Sequence, residues 1–248
     1  MTAAVDASLF KAYDIRGVVD RTLTTDAVRA IGAALGAEAI ALGRQEIVVG
    51  RDGRLSGPKL RDALVDGIRS TGTGVVDVGM VATPMLYLAT HLLGTGSGVE
   101  ITGSHNPPDY NGLKMVLGGA TLYGETIQKL RRTIEQGTAP RAAAPGPLRT
   151  ADVRDAYMQR VASDVKLARP MKIAVDCGNG VAGAFAPALY RMLGCEVTEL
   201  FCEVDGSFPN HHPDPAHPEN LEDLIRALRE SDAEIGLAFD GDGDRLGV

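Results

Sequence analysis

An alternation of strand-like and helix-like segments constrains this chain more than any other feature. EIVVGRD (46–52) is a short apolar run, followed by SGPKLRDALVDGIRSTG, with Leu60, Leu64 and Ile68 on one helical face and Gly72 as a stop. GVVDVG (74–79) predicts the next strand, and TPMLYLATHLLG the next helix, with Pro84 in the first turn, where its missing N–H is no loss. GVEIT (98–102) and GLKMVL predict two more strands, and GETIQKLRRTIEQG a helix with Ile127, Leu130 and Ile134 in register. Strands that alternate with helices in this way fold as α/β layers.

The composition changes at APRAAAPGPLRT (139–150), which holds three prolines and little to bury, and is expected to be a linker or domain edge. Beyond it, Asp152 is expected to cap a helix carrying Val153, Tyr157, Val161 and Val165. KIAVD (172–176) predicts a strand, AGAFAPALYRMLG a helix and CEVTELF a strand. Asn220 is expected to cap LEDLIRALRES, whose Leu221, Leu224, Ile225 and Leu228 repeat with helical spacing. EIGLAFD (234–240) is expected to be the last strand. The expected fold is two consecutive α/β domains, 1–150 and 151–248, with mixed sheets flanked by helices. Active-site loops are expected at the C-terminal ends of strands, where open α/β sheets bind ligands.

Charge and length exclude several functions. A net charge of -7 argues against a nucleic-acid partner. No basic amphipathic run points to a membrane surface, and no segment has the length of a membrane span. Asp6 falls where a secretory leader would need an uncharged core. The three cysteines, Cys177, Cys195 and Cys202, are odd in number and predict reduced thiols in a cytoplasmic protein.

Two loops carry chemistry. In FDGDGDR (239–245), Asp240, Asp242 and Asp244 alternate with glycines. The glycines let alternate carboxylates converge, and convergence without a cation would raise at least one pKa. An all-oxygen donor set suits Mg²⁺, one ion per chain. An EF-hand is excluded, since Arg245 stands where its loop needs glycine. A plain polar turn needs only one or two such residues. The second loop is TGSHNPPDYNGLK (102–114), where Ser104 follows a strand and Pro107 and Pro108 stiffen what comes after. It has no G-x-S-x-G elbow, and nothing marks His91, His211, His212 or His217 as a triad partner. Alone, Ser104 reads as a turn serine. Beside a Mg²⁺ loop it reads as a carrier of a phosphoryl group, a natural further metal ligand.

TGSHNPPDYNGLK resembles the phosphoserine loop of the α-D-phosphohexomutases, and FDGDGDR resembles their metal loop. FKAYDIRG (10–17) and EVDGSFPNHHPDPAHPENL (203–221) resemble two further segments of that family. The phosphomannomutase/phosphoglucomutase branch fits better than the phosphoglucosamine mutase branch, because Gly103 precedes the serine and PPDYNG follows it. The resemblance implies that phospho-Ser104 exchanges its phosphoryl group with mannose and glucose 1- and 6-phosphates through a 1,6-bisphosphate, with glucose 1,6-bisphosphate as activator. It implies a metal on Ser104, Asp240, Asp242 and Asp244. Arg16 and Arg245 would hold phosphate or sugar, and Tyr13 would contact substrate. His105 and Asn106 would orient the serine loop. Lys114 would move protons on the sugar hydroxyl, with a pKa lowered by Arg16, Arg245 and the metal. Taken on spacing alone, Lys114 could equally be solvated, Arg16 could pair with Asp14, and Tyr13 could be packing. Family members have four domains, so the chain is expected to be the N-terminal part of a longer enzyme, its second domain cut short, and nearly inactive alone.

GNGVAG (178–183) competes with this reading. It fits a dinucleotide fingerprint, with Glu199 placed as a ribose ligand. Glycines at a tight βα turn serve helix–strand packing equally well, and a dehydrogenase leaves both loops unexplained. A non-catalytic Mg²⁺ or phosphosugar-binding module is the third reading. His211, His212 and His217 lack a fourth zinc ligand and read as loop residues.

Overall fold

In the computed structural model, which describes residues 5–248, the apolar runs assemble into two sheets. The first contains β1 (Ile15–Val18), β2 (Glu46–Arg51), β3 (Gly74–Met80), β4 (Gly98–Ile101), β5 (Tyr110–Leu117), β6 (Ala120–Thr121) and β7 (Leu148–Thr150). Its order is β1-β5-β4-β2-β3-β7, with β6 beside β5. The sheet is mixed: β2 runs parallel to β3 and β4, whereas β5 is antiparallel to β4 and β1. Its helices are α1 (Thr25–Ala41), α2 (Gly57–Ser70), α3 (Thr83–Leu92) and α4 (Glu125–Gln136). The middle of β2, Ile47–Val49, is apolar because it is buried on both faces. Ile47 and Val49 join the core under α1, α2 and α4, while Val48 joins Met85 and Leu86 of α3 on the other side.

The second sheet contains β8 (Lys172–Asp176), β9 (Glu196–Leu200), β10 (Ile235–Phe239) and β11 (Leu246–Gly247), in the order β11-β10-β8-β9. Its helices are α5 (Arg154–Asp164), α6 (Ala186–Met192) and α7 (Glu222–Glu230). The two sheets share one apolar layer: Val81, Ala82 and Met85 cluster with Val175, Val181 and Phe185. That layer fixes the loop after β4 against the loop after β10.

Several local expectations are corrected. The proline-rich stretch, read as a linker or domain edge, is tied to the first sheet: Ala142 and Gly146 donate to the carbonyls of Ser70 and Arg69, and β7 forms the sheet's edge, parallel to β3. Asp152 accepts from Arg154 N at 2.9 Å, but Val153 holds the N-cap position of α5. Asn220 caps nothing; it lies in a 3₁₀ turn before α7, and its Nδ2 donates to Asp214 O at 2.9 Å. Ile225, expected on the buried face of α7, is 40% exposed, while Leu224 is buried. Strand β10 is not the last: β11 turns back antiparallel to it. β1 and α1 escaped the sequence reading. The alanines and glycines of α1 blur its apolar stripe, and α1 packs on α2 closely enough that a Cβ on Gly67 would stand 2.1 Å from Arg29 O.

Candidate active site

The loops after β4 and β10 meet. Ser104 is fully buried and held at φ +49°, a conformation costly for any residue but glycine. Thr102 Oγ1 steadies it by accepting from Ser104 N at 2.8 Å. Its hydroxyl donates to Asp240 Oδ2 at 2.9 Å. The other oxygen of Asp240 accepts from the backbone N–H groups of Asp244 and Arg245, each at 3.1 Å, which curls the loop around it. Asp242 accepts from Thr83 Oγ1 at 2.5 Å, and its backbone carbonyl accepts from Thr83 N, tying the loop to the first turn of α3. Gly241 lies against the serine: a Cβ there would stand 2.5 Å from Ser104 O.

The serine loop rests on Arg54, a residue the sequence reading missed. Its side chain is completely buried. Nη1 donates to Pro107 O (2.6 Å) and Tyr110 O (2.9 Å), and Nη2 donates to Ser104 O (2.8 Å) and Asn106 O (2.6 Å). Asp52 lies 3.3 Å from Arg54 Nε and accepts from Gly103 N at 3.2 Å. Phe208, from the second half of the chain, covers the guanidinium with its ring centroid 5.1 Å away. One planar fork thus organises four carbonyls of the turn that carries Ser104. The available signal was an Asp-x-Arg pair in a glycine-flanked turn after a buried strand.

Lys114 bridges Asp242 Oδ2 at 2.6 Å and Asp244 Oδ2 at 2.5 Å. Burial alone would lower its pKa, but the two carboxylates outweigh burial and raise it. The expected lowering rests on a bound metal as well as on Arg16 and Arg245; against the two carboxylates alone the shift is upward. Burial, with the like charges of Asp242 and Asp244 behind it, pushes Asp240 up to about 7. Asp242 is also buried, yet the Lys114 charge and the hydrogen bonds from Lys114 and Thr83 hold it below the usual carboxylate range.

The other residues singled out in the sequence divide into two groups. Arg16, Tyr13, Lys114 and Arg245 line one cavity of about 650 Å³, together with Tyr87 and Asp244. Arg16 does pair with Asp14, at 2.5 Å, but the pair is largely buried in the cavity wall. Tyr13 is 77% exposed, so it is not packing. His105 and Asn106 belong to the serine turn itself. His105 Nδ1 contacts Arg245 Nη1, and its carbonyl accepts from His212 Nε2. Asn106 Nδ2 donates to Gly103 O at 2.8 Å. Burial, then the nearby Arg245 charge, lowers the His105 pKa. His211 bonds Asp176 at 2.9 Å, and His217 lies beside Asp214 and Glu219.

The glycines of GNGVAG are taken up by packing. A Cβ on Gly183 would stand 2.0 Å from Cys202 O, and one on Gly180 would stand 3.0 Å from Gly241 Cα. Glu199 pairs with Arg191 at 2.7 Å.

A divalent cation fits the aspartate loop. Asp240, Asp242 and Asp244 each offer an oxygen, all within 4.8 Å of one another, and no other such cluster occurs among the described residues. Asp242 Oδ1 is buried with no hydrogen-bond partner, an acceptor with nothing to accept from.

Comparison with known proteins agrees with this geometry. The family model described as phosphoglucomutase/phosphomannomutase, alpha/beta/alpha domain I, matches residues 7–141, and that of domain II matches residues 155–248. A phosphoglucomutase of Neisseria meningitidis is 58% identical over 246 residues, covering 99% of this chain and 54% of the relative. A phosphomannomutase/phosphoglucomutase of Pseudomonas aeruginosa is 54% identical, covering 98% of this chain and 52% of the relative. The crystal structure of a phosphoglucomutase/phosphomannomutase family protein from Burkholderia thailandensis superposes with a TM-score of 0.94 at 55% identity, covering 98% of this chain and 55% of that one. The chain thus spans about half the length of the relatives it matches. Its two matched domains, one carrying the serine turn and the other the aspartate loop, make it a member of the α-D-phosphohexomutase family.

Proposed function

We propose that this chain supplies the phosphoserine and metal-binding parts of a phosphohexomutase that interconverts mannose or glucose 1-phosphate with the corresponding 6-phosphate. One observation carries the reading: the Ser104 hydroxyl is 2.9 Å from a carboxylate of the three-aspartate cluster, although 136 residues separate them. Ser104 carries the phosphoryl group and passes it to a sugar hydroxyl. The resulting 1,6-bisphosphate turns over and returns its other phosphoryl group to Ser104 Oγ. Such transfer needs alignment and charge neutralisation more than covalent help.

Asp240, Asp242 and Asp244, with Ser104, would hold one Mg²⁺, which when bound draws electron density from a phosphoserine oxygen. Arg54 aligns the serine by fixing its turn. Arg245 and Arg16 supply positive charge at the cavity for the sugar phosphate, and Tyr13 offers it an exposed ring. His105 and Asn106 hold the turn in shape. Lys114 Nζ keeps its proton while it faces Asp242 and Asp244. Once those carboxylates are engaged elsewhere, Nζ can release that proton to solvent and, as the neutral amine, accept one from the sugar hydroxyl. The three free thiols suit a cytoplasmic enzyme. Among the described residues no helix is long and apolar enough to cross a membrane.

Incubation with glucose 1,6-bisphosphate and Mg²⁺, followed by peptide mass mapping, tests the reading. Phosphate is expected on Ser104 in the wild-type chain and nowhere in Ser104→Ala. Phosphate on another residue, or none on a folded chain, overturns it. Turnover of glucose 1-phosphate by these 248 residues alone is expected to be very low, since relatives are about twice as long.

A further inference from the structure

A pair of sulfurs lies outside everything assigned above. Cys177 directly follows β8, and Cys202 lies two residues beyond β9, the strand parallel to it. Their Sγ atoms are 3.5 Å apart. The last paired residues of the two strands are Asp176 and Leu200, so strict register would set Cys177 opposite Phe201. Phe201 instead adopts φ +50°, the left-handed region, and the chain turns there. That turn brings the Cys202 thiol back over the end of β8, where it also lies 3.7 Å from Val175 O and 3.4 Å from Leu200 O. Closing the bond requires the sulfurs to approach by about 1.5 Å, from 3.5 Å to about 2.05 Å.

The two thiols are unequal. Cys177 is fully buried, whereas Cys202 is partly exposed. The hydrogen bond with Cys202, and then burial, push the Cys177 thiol up. The outer sulfur therefore meets an oxidant first, and the inner one lies in contact behind it. Cys195 provides an internal control: it is buried at the start of β9, the opposite end of the strand from Cys202.

We propose that Cys177 and Cys202 form a reversible disulfide in response to hydroperoxides. Cys202–SH attacks the peroxide, giving Cys202–SOH and releasing an alcohol, or water from hydrogen peroxide. Cys177–SH then attacks the Cys202 sulfur. The S–O bond breaks, the S–S bond forms, and the hydroxyl leaves with the Cys177 proton as water. The thiol pair loses two electrons and the peroxide gains them. A dithiol reductant reverses the change.

Treatment of the chain with hydrogen peroxide, followed by alkylation and non-reducing peptide mapping, tests this. The expected product is lighter by two hydrogens, joins the peptides of Cys177 and Cys202, and disappears with dithiothreitol. Cys195→Ser should give the same product, and Cys202→Ser none. In Cys177→Ala, Cys202 should accumulate as a sulfenic acid that dimedone traps. Should that variant not fold, mapping of the wild-type chain decides alone. The proposal is overturned by Cys202 gaining two oxygens with no cross-link, by a cross-link through Cys195, or by both thiols staying alkylatable.

Discussion

Ser104 and Asp240 share a hydrogen bond of 2.9 Å across the boundary between the two sheets. The serine is placed by its turn and the aspartate by its own loop, so the contact depends on how closely the two loops pack. Gly241 sets that distance, because its missing side chain leaves room for Ser104 O.

Gly241→Ala would put a methyl group 2.5 Å from that carbonyl. The serine turn would have to withdraw. Misplacement by ~1 Å can cost on the order of 100-fold in rate, so a loss of that order is expected in Ser104 phosphorylation by glucose 1,6-bisphosphate. Quench-flow mass spectrometry reads the rate, and circular dichroism checks that the fold is kept. An unchanged rate would mean that the contact between the loops does not matter.

Arg54→Ala would strip four carbonyls of their donor and leave Asp52 buried without its partner. Breaking a buried pair in this way costs about 3–5 kcal/mol. Urea unfolding should show a loss of that size, and amide exchange should quicken in residues 103–110. Arg54→Lys should recover only part of the loss, since an ammonium has three donors and no planar fork. Full stability in either variant would show that the guanidinium does not organise the turn.

Thr83→Val removes the hydroxyl that donates to Asp242 Oδ2. Hydrogen bonds to charged groups contribute about 1.5 kcal/mol or more, so Mg²⁺ affinity measured by calorimetry should fall about tenfold. Thr83→Ser should bind nearly as the wild type. Equal affinity in all three proteins would remove Thr83 from the metal loop's support.

His211 contributes a pH-dependent part of the stability. Its hydrogen bond to Asp176 outweighs the effect of burial and raises its pKa above the unfolded value. A raised histidine pKa stabilises fully below the unfolded value, about 6.5, and that contribution is lost as pH rises through the folded value. The stability difference between wild type and His211→Gln, from urea unfolding, should therefore be largest at low pH and shrink above about pH 6.5. A difference that grows with pH would reverse the assignment.

What the sequence revealed follows a physical pattern. β4 and β10 were legible because each is an apolar run that ends abruptly in a polar loop, and the chemistry of those loops is written in adjacent residues. Arg54 was not legible. Its four acceptors lie roughly fifty residues away, and Phe208 farther still, so on the sequence it is one more charge in a turn. Lys114 was singled out on the sequence, but its bonds to Asp242 and Asp244 bring together residues some 130 positions apart, which spacing does not show. Ile225 failed for a similar reason. Periodicity marks an apolar stripe on α7 but not how wide a strip the second sheet covers, and Leu224 takes the covered position.

The central claim is that a divalent cation on Asp240, Asp242 and Asp244 meets the phosphoryl group on Ser104. Electron–nuclear double resonance on the phosphorylated chain with Mn²⁺ in place of Mg²⁺ measures this directly. The account predicts a strong ³¹P coupling, as expected for a phosphate oxygen bound to the ion, which Asp242→Asn weakens or abolishes. Mn²⁺ bound at the aspartates with no ³¹P coupling, while Ser104 carries phosphate, would contradict it.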